Sequence, residues 1–224
     1  MAVIVFVPAA AAATSAPEAN HRTAAAHFVQ ALLPNDDYFA QGFMWGLSNT
    51  GQAAAATCVG CASAIGIADA DIDAPEAWDM VSGCGVCVPP IVAVIDTGIY
   101  EGHEDFNNQI WANDMESSGY MGVDDDNNGF IDDKHGWDWS DVPFNECAAG
   151  GKGDNQPDPT HDYGGFSSHG TGMASAIGST TNNGTGIAGV NDQVRLMNLR
   201  VGGGSGSPIR DTNFACAIEY AAKN

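Results

Sequence analysis

Two residues stand where their neighbours could make them reactive. Asp96 ends the apolar run Ile91-Val-Ala-Val-Ile95 and is followed by Thr97 and Gly98. His169 sits in Ser168-His-Gly-Thr-Gly-Met-Ala-Ser175, where small residues let a helix pack closely with the imidazole at its start. Alone, Asp96 could cap a turn and His169 could be an ordinary loop histidine. As a pair they have a chemistry: a buried carboxylate fixes the tautomer of the imidazole and stabilises its protonated form, leaving the other nitrogen as a general base. A carboxylate dyad is the poorer reading, because the chain has no second Asp-Thr-Gly or Asp-Ser-Gly.

A second chemistry is carried by Asp124-Asp-Asp-Asn-Asn-Gly-Phe-Ile-Asp-Asp133. Alternating short acidic side chains with a glycine at the sharp turn supply the six to eight oxygens that calcium prefers. The candidate ligands are Asp124, Asp126, Asn128, the Phe130 carbonyl, and Asp132 or Asp133. The segment is not an EF-hand, since position twelve is His135 rather than Glu. A solvated acidic turn is the alternative. Against it, the carboxylates of Asp124–Asp126, Asp132, Asp133 and Asp138 have Lys134 as their only nearby cation and would repel one another without a counter-ion.

Six cysteines form a third pattern. Cys58 and Cys61, then Cys84 and Cys87, make two C-x-x-C pairs 22 residues apart, with Cys147 and Cys216 further on. Disulfides, free thiols and a metal site are all compatible with that spacing. No basic or aromatic cluster surrounds the pairs, which disfavours a zinc-ribbon nucleic-acid reader. Zinc is therefore not the expected metal.

These groups must be positioned by a fold. The chain has 224 residues, 44% of them hydrophobic, enough for a packed core. Its 28 acidic and 7 basic residues give a formal charge of −21, which disfavours nucleic acid and anionic membranes as partners. Residues 104–162 hold 15 acidic and 2 basic residues, so much of that charge is local. The run Ala2–Ala13 is apolar and small. It is too short to span a membrane as a helix and reads as a secretory signal or an Ala-rich leader. Residues 21–33 could form a helix ended by Pro34, and 53–68 read as an irregular insertion. Asp73 is expected to cap a helix through about Val81. Ile91–Ile95 reads as a buried parallel strand, Arg195–Val201 as another, and Asp211–Ala222 as a helix. Between Gly119 and Ser168 there is no periodicity, which predicts a long loop insertion. Alternating strands and helices make the fold class α/β, with a mainly parallel sheet flanked by helices. In such folds functional groups collect at the carboxyl ends of strands, where Asp96 lies.

Several segments, in order, resemble the subtilisin-like serine peptidases, or subtilases. Pro34-Asn-Asp-Asp-Tyr-Phe39 and Trp45–Gln52 resemble the start of the mature domain, and Ala70–Asp79 the helix before the first catalytic strand. Val92–Ile99 resembles the catalytic Asp box, His103–Phe106 its continuation, Ser168–Ser175 the His box and Asn182–Val190 the loop after it. The His box departs from H-G-T-H-V-A-G at Gly172, Met173 and Ser175.

The resemblance implies a leader or pro-segment remnant at 1–33 and a peptidase domain over 34–224, with an acidic insertion at about 104–165. It implies endopeptidase cleavage of protein or peptide substrates outside the cell, with Asp96 orienting His169. Some subtilases carry a similar Asp-rich loop, and a second calcium site at Asp105 and Asn183, with carbonyls near Thr181, Thr185 and Ile187, is implied in the same way. The family's nucleophilic Ser and oxyanion-hole Asn lie well downstream of the His box. No G-T-S-M-A segment occurs here, and Ser205 and Ser207 lack the strand-to-helix elbow of a nucleophile. The resemblance therefore implies a domain incomplete at its C-terminus and, taken alone, inactive. The rival expectation is a calcium-binding pseudoenzyme or interaction fragment. The oligomeric state is not legible.

Overall fold

The computed structural model describes residues 3–7, 33–52, 65–81, 88–140, 153–161, 168–203 and 209–224. The cysteines Cys58, Cys61, Cys84, Cys87 and Cys147, residues 21–32 of the expected helix at 21–33, residues 53–64 of the expected insertion at 53–68, and Ser205 and Ser207 lie outside them. Cys216 is buried in the core and disulfide-bonded, so it is not a free thiol.

Among the described residues, four strands form one sheet in the order β1-β2-β4-β3. β2 (Ile91–Asp96) and β4 (Arg195–Arg200) pair in parallel, as do β4 and β3 (Gly136–Asp138). β1 (Val3–Val7) lies antiparallel on the other edge of β2. The expected α/β class with a mainly parallel sheet is therefore what the chain forms.

The β-branched run of β2 is buried on both faces. Val92 and Val94 join Leu196, Ile99 and Ala174 in one cluster, beneath helix α4 (His169–Gly178). Ala93 and Ile95 join Met197, Leu199, Trp139 and Tyr220 in the other, beneath helix α5 (Asp211–Lys223). Fully burying side chains of this size contributes about 1.5–3 kcal/mol each, which makes the central strands the rigid frame of the site. Helix α2 (Ala74–Val81) forms where the sequence places it. Asp73 does not take the extended conformation of a side-chain cap, because its φ is +55°.

The acidic stretch is not loop throughout. It contains the short helix α3 (Asp114–Ser118) and above all strand β3, while the short helix α1 (Asp37–Ala40) lies well before it. Three residues, Gly-Trp-Asp, are too few to show a period. What makes them a strand is tertiary: Trp137 fills the α5-side cluster, and the β4 edge supplies the hydrogen bonds. Gly136 has φ +134°, and a Cβ there would fall 1.9 Å from the Asn198 carbonyl oxygen. Just before it, His135 Nδ1 bonds to Glu101, which anchors the start of β3 to the segment that follows β2. That hydrogen bond raises the His135 pKa above its usual 6.5, against the opposing effect of burial.

Two outcomes follow. Gly136→Ala combines backbone strain with a steric clash against main chain and should cost roughly 3 kcal/mol, read from urea unfolding; an unchanged midpoint would contradict the packing described. Glu101→Gln removes the charge and weakens the bond that favours the imidazolium. The NMR titration of His135 should then move to lower pH, and a midpoint that stays put would refute the assignment.

Candidate active site

Asp96 and His169 are brought together. The Asp96 carboxylate, at 1% exposure, lies at the carboxyl end of β2. His169 Nδ1 is 2.8 and 2.9 Å from its two oxygens. The Thr97 N–H donates to Oδ1 at 2.6 Å. Because the carboxylate accepts, Nδ1 is the donor, and Nε2 carries the lone pair. Nε2 has no protein partner among the described residues, and the His169 side chain is 54% exposed. One nitrogen is thus held and the other presented, the arrangement a general base needs.

The approach of α4 to β2 makes this possible. The Gly170 N–H donates to Thr97 Oγ1 at 3.0 Å, and the Tyr100 N–H donates to Thr171 Oγ1 at 3.0 Å. Gly98 turns at φ +92°, and its carbonyl oxygen would lie 2.4 Å from a Cβ on Gly170. Only small residues allow a helix start and a strand end this close. Beside Asp96 in register lie Arg200 and then Asp138, so three charged residues stand in a row across the strand ends. Arg200 Nη1 is 3.3 Å from Asp138 Oδ2. Burial pushes the Asp138 carboxyl up to about 7, against the pull of the Ser140 N–H and the Arg200 charge.

In the acidic loop the ligand candidates separate. Carboxylate oxygens of Asp124 and Asp126 converge with one of Glu116, all within 4.8 Å of one another. Glu116, at 2% exposure, accepts the backbone N–H groups of Asp125, Asp126 and Asp132. Asn128 Oδ1 accepts the Phe130 N–H, while its amide nitrogen donates to Asp126 and Asp133. Asp133 turns inward, bonded by the Tyr220 hydroxyl and by Asn113. Burial pushes the Asp133 carboxyl up to about 6, and burial beside Asp133 also pushes the Tyr220 phenol up. Asp132 faces out and accepts the Gly122 N–H.

The sequence reading missed Glu116. Asn113-Asp-Met-Glu116 carries the signal of a helix start, with Asn113 accepting the Met115 N–H at 3.2 Å. What periodicity could not tell is that the glutamate folds back onto the loop.

Asp105 and Asn183 also meet: Asn183 Nδ2 donates to Asp105 Oδ1 at 2.8 Å, and the Ile187 N–H donates to Asp105 Oδ2 at 3.1 Å. A third residue, not foreseen, joins the same loop. Asp36 is fully buried, its Oδ2 accepts the Asn182 N–H at 2.9 Å, and its Oδ1 has no hydrogen-bond partner among the described residues. A buried carboxylate oxygen without a donor is costly unless a cation completes it.

Comparison with known proteins places this geometry. Residues 89–224 match the model of the Subtilase family. The extracellular protease of Xanthomonas campestris pv. campestris is 34% identical over 165 residues, covering 71% of this chain and 24% of that protein. Thermitase of Thermoactinomyces vulgaris is 29% identical over 151 residues, covering 67% of this chain and 38% of its own. Subtilisin-like protease 1 of Plasmodium berghei is 38% identical over 106 residues, 47% of this chain and 15% of that protein. The chain thus spans well under half the length of these relatives. With its strand-end aspartate, helix-start histidine and matched segment in one order, the chain belongs to the subtilase family.

Proposed function

We propose that these residues carry the base half of a serine endopeptidase that cleaves polypeptides. The observation that supports this is the hold of buried Asp96 on exposed His169. In the reaction, His169 Nε2 takes the proton of a serine hydroxyl as that oxygen attacks the scissile carbonyl. The imidazolium, held by Asp96, then gives the proton to the leaving amine. The 224 residues contain no G-T-S-M-A segment, so in this reading the attacking hydroxyl is not one of theirs. Without an attacking hydroxyl the pair has nothing to activate. The name of the Xanthomonas relative says that it is extracellular, and this chain is read as acting there too. Its acidic surface suits neither nucleic acid nor an anionic membrane.

Calcium fits the donor sets. Glu116, Asp124 and Asp126 would hold one ion, with Asn128, the Phe130 carbonyl, Asp132 and Asp133 close in sequence. Asp105, Asn183 and the open Oδ1 of Asp36 would hold a second, with carbonyls near Thr181, Thr185 and Ile187. All these donors are hard oxygens, the set calcium takes and zinc does not prefer. When bound, the ions neutralise clustered carboxylates; the chain's own residues bring the loops together.

The purified 224-residue protein should not turn over a chromogenic peptide. Turnover that His169→Ala abolishes would overturn that expectation. In protein extended to include a downstream serine, His169→Ala should lower kcat by several orders of magnitude. An unchanged kcat would refute the role of His169, and an extended parent with no turnover would favour the pseudoenzyme reading.

Calcium at about a hundred times its Kd should stabilise the chain by about 2.7 kcal/mol per site, and chelation should reverse it. Calorimetric titration should count two ions in the parent and one in either Glu116→Gln or Asp36→Asn. A parent that binds one ion or none, or a variant that still binds two, would refute the two-site assignment.

A further inference from the structure

The segment that follows Asp96 is clamped from two sides, and α4 provides only one of them. On the other side stands Asn198, in the middle of β4 and fully buried. A polar side chain at the centre of a parallel sheet is costly unless its amide is satisfied. Here it is satisfied by main chain. Its Oδ1 accepts the Ile99 N–H at 2.9 Å, and its Nδ2 donates to the Ile99 carbonyl at 3.1 Å. The amide thus exchanges two bonds with one residue, as a strand partner would. Nδ2 also donates to Glu101 Oε1 at 3.0 Å.

Asn198 itself cannot drift. Its N–H donates to the His135 carbonyl, and it stands in register between Val94 of β2 and Gly136 of β3. Ile99 comes directly after Gly98, whose carbonyl abuts Gly170 beside His169. The turn carrying Asp96 is therefore pinned to the helix through Thr97, Tyr100 and Gly170, and to the sheet through Asn198. With only the helix side, α4 and the segment after Gly98 could shift together relative to the end of β2, where Asp96 is held in register, and carry Nδ1 away from the two carboxylate oxygens.

We propose that Asn198 is a positioning residue for the Asp96–His169 pair. It acts through Ile99 and touches neither reacting group. This rests on the reading of Asp96 and His169 as orienting acid and base, and its test separates the two ideas.

The test uses the intact chain and the downfield proton resonance of a carboxylate-bonded imidazole Nδ1–H. The parent should show the resonance, and Asp96→Asn should abolish it. Asn198→Ala should lose it or broaden it beyond detection. Leu199→Ala, one position on and facing the opposite cluster, should keep it despite a comparable fall in melting temperature. Asn198→Asp keeps the acceptor for Ile99 but puts a like charge beside Glu101, so it should show an intermediate signal; it serves as the second variant should the alanine variant not fold. An undisturbed resonance in Asn198→Ala or Asn198→Asp overturns the proposal. Loss of the resonance in Leu199→Ala overturns it too, because the effect would then be general destabilisation. Persistence of the resonance in Asp96→Asn overturns the underlying reading of the pair instead.

Discussion

Everything near the candidate site answers to one constraint: a carboxylate has been taken out of water at the end of a buried strand. Asp96 cannot remain there without donors, and the fold supplies the Thr97 N–H and the His169 imidazole. The second donor comes from another element, so the start of α4 must lie against the end of β2. That closeness requires Gly98 and Gly170, and it leaves Thr97 and Thr171 to bond across the gap. The histidine is consequently fixed at one nitrogen and open at the other. The basic group is a by-product of solvating the acid.

The same constraint recurs in the two acidic clusters with a different solution. Glu116 and Asp133 are buried by main-chain N–H groups, Asn113 and Tyr220. These donors are neutral and do not fully replace water, so burial, with the nearby Asp126 and Glu116 carboxylates, pushes the Asp133 carboxyl up. At Asp36 the described residues supply a donor to one oxygen and none to the other. Neutral donors suffice for a single carboxylate, whereas converging carboxylates call for a cation. The difference between the Asp96–His169 pair and the loops is therefore one of partner: the first is completed by an imidazole, and the second would be completed by the proposed ion.

Much of this was legible in the sequence, and the failures have physical reasons. The strands at Ile91 and Arg195 and the helices at Ala74 and Asp211 announce themselves by apolar runs and periodicity, because both faces of the sheet or one face of the helix are buried. Asp96 and His169 are visible because strand-end aspartate and small-residue helix start leave local marks. β3 was not visible, since three residues carry no period and its pairing depends on β4, some 60 residues away. Glu116 and Asp36 were missed for a related reason: each acts by turning toward a loop distant in sequence, and nothing local records the turn. Asp73 shows the opposite error, a good capping residue whose backbone takes another conformation. Five of the six cysteines lie outside the described residues, and Cys216 alone is placed, in a disulfide.

The face of the sheet beneath α4 shows how these pieces form one gradient. Going toward the carboxyl ends, the first row is Val92 and Leu196, wholly apolar. Two residues on, Val94 and Asn198 mix apolar with neutral polar beside Gly136. Two further, Asp96, Arg200 and Asp138 are all charged. Successive residues on one face are about 6.8 Å apart, so core becomes charged site within roughly 14 Å. A charged row set directly on an apolar one would have no rigid polar support. The middle row supplies it: a neutral amide that burial tolerates, fully bonded, and stiff enough to hold a turn. Rigidity generated by apolar packing in the first row reaches the chemistry of the third through that amide, which is why a buried asparagine has its place between Leu196 and Arg200 on this face of β4.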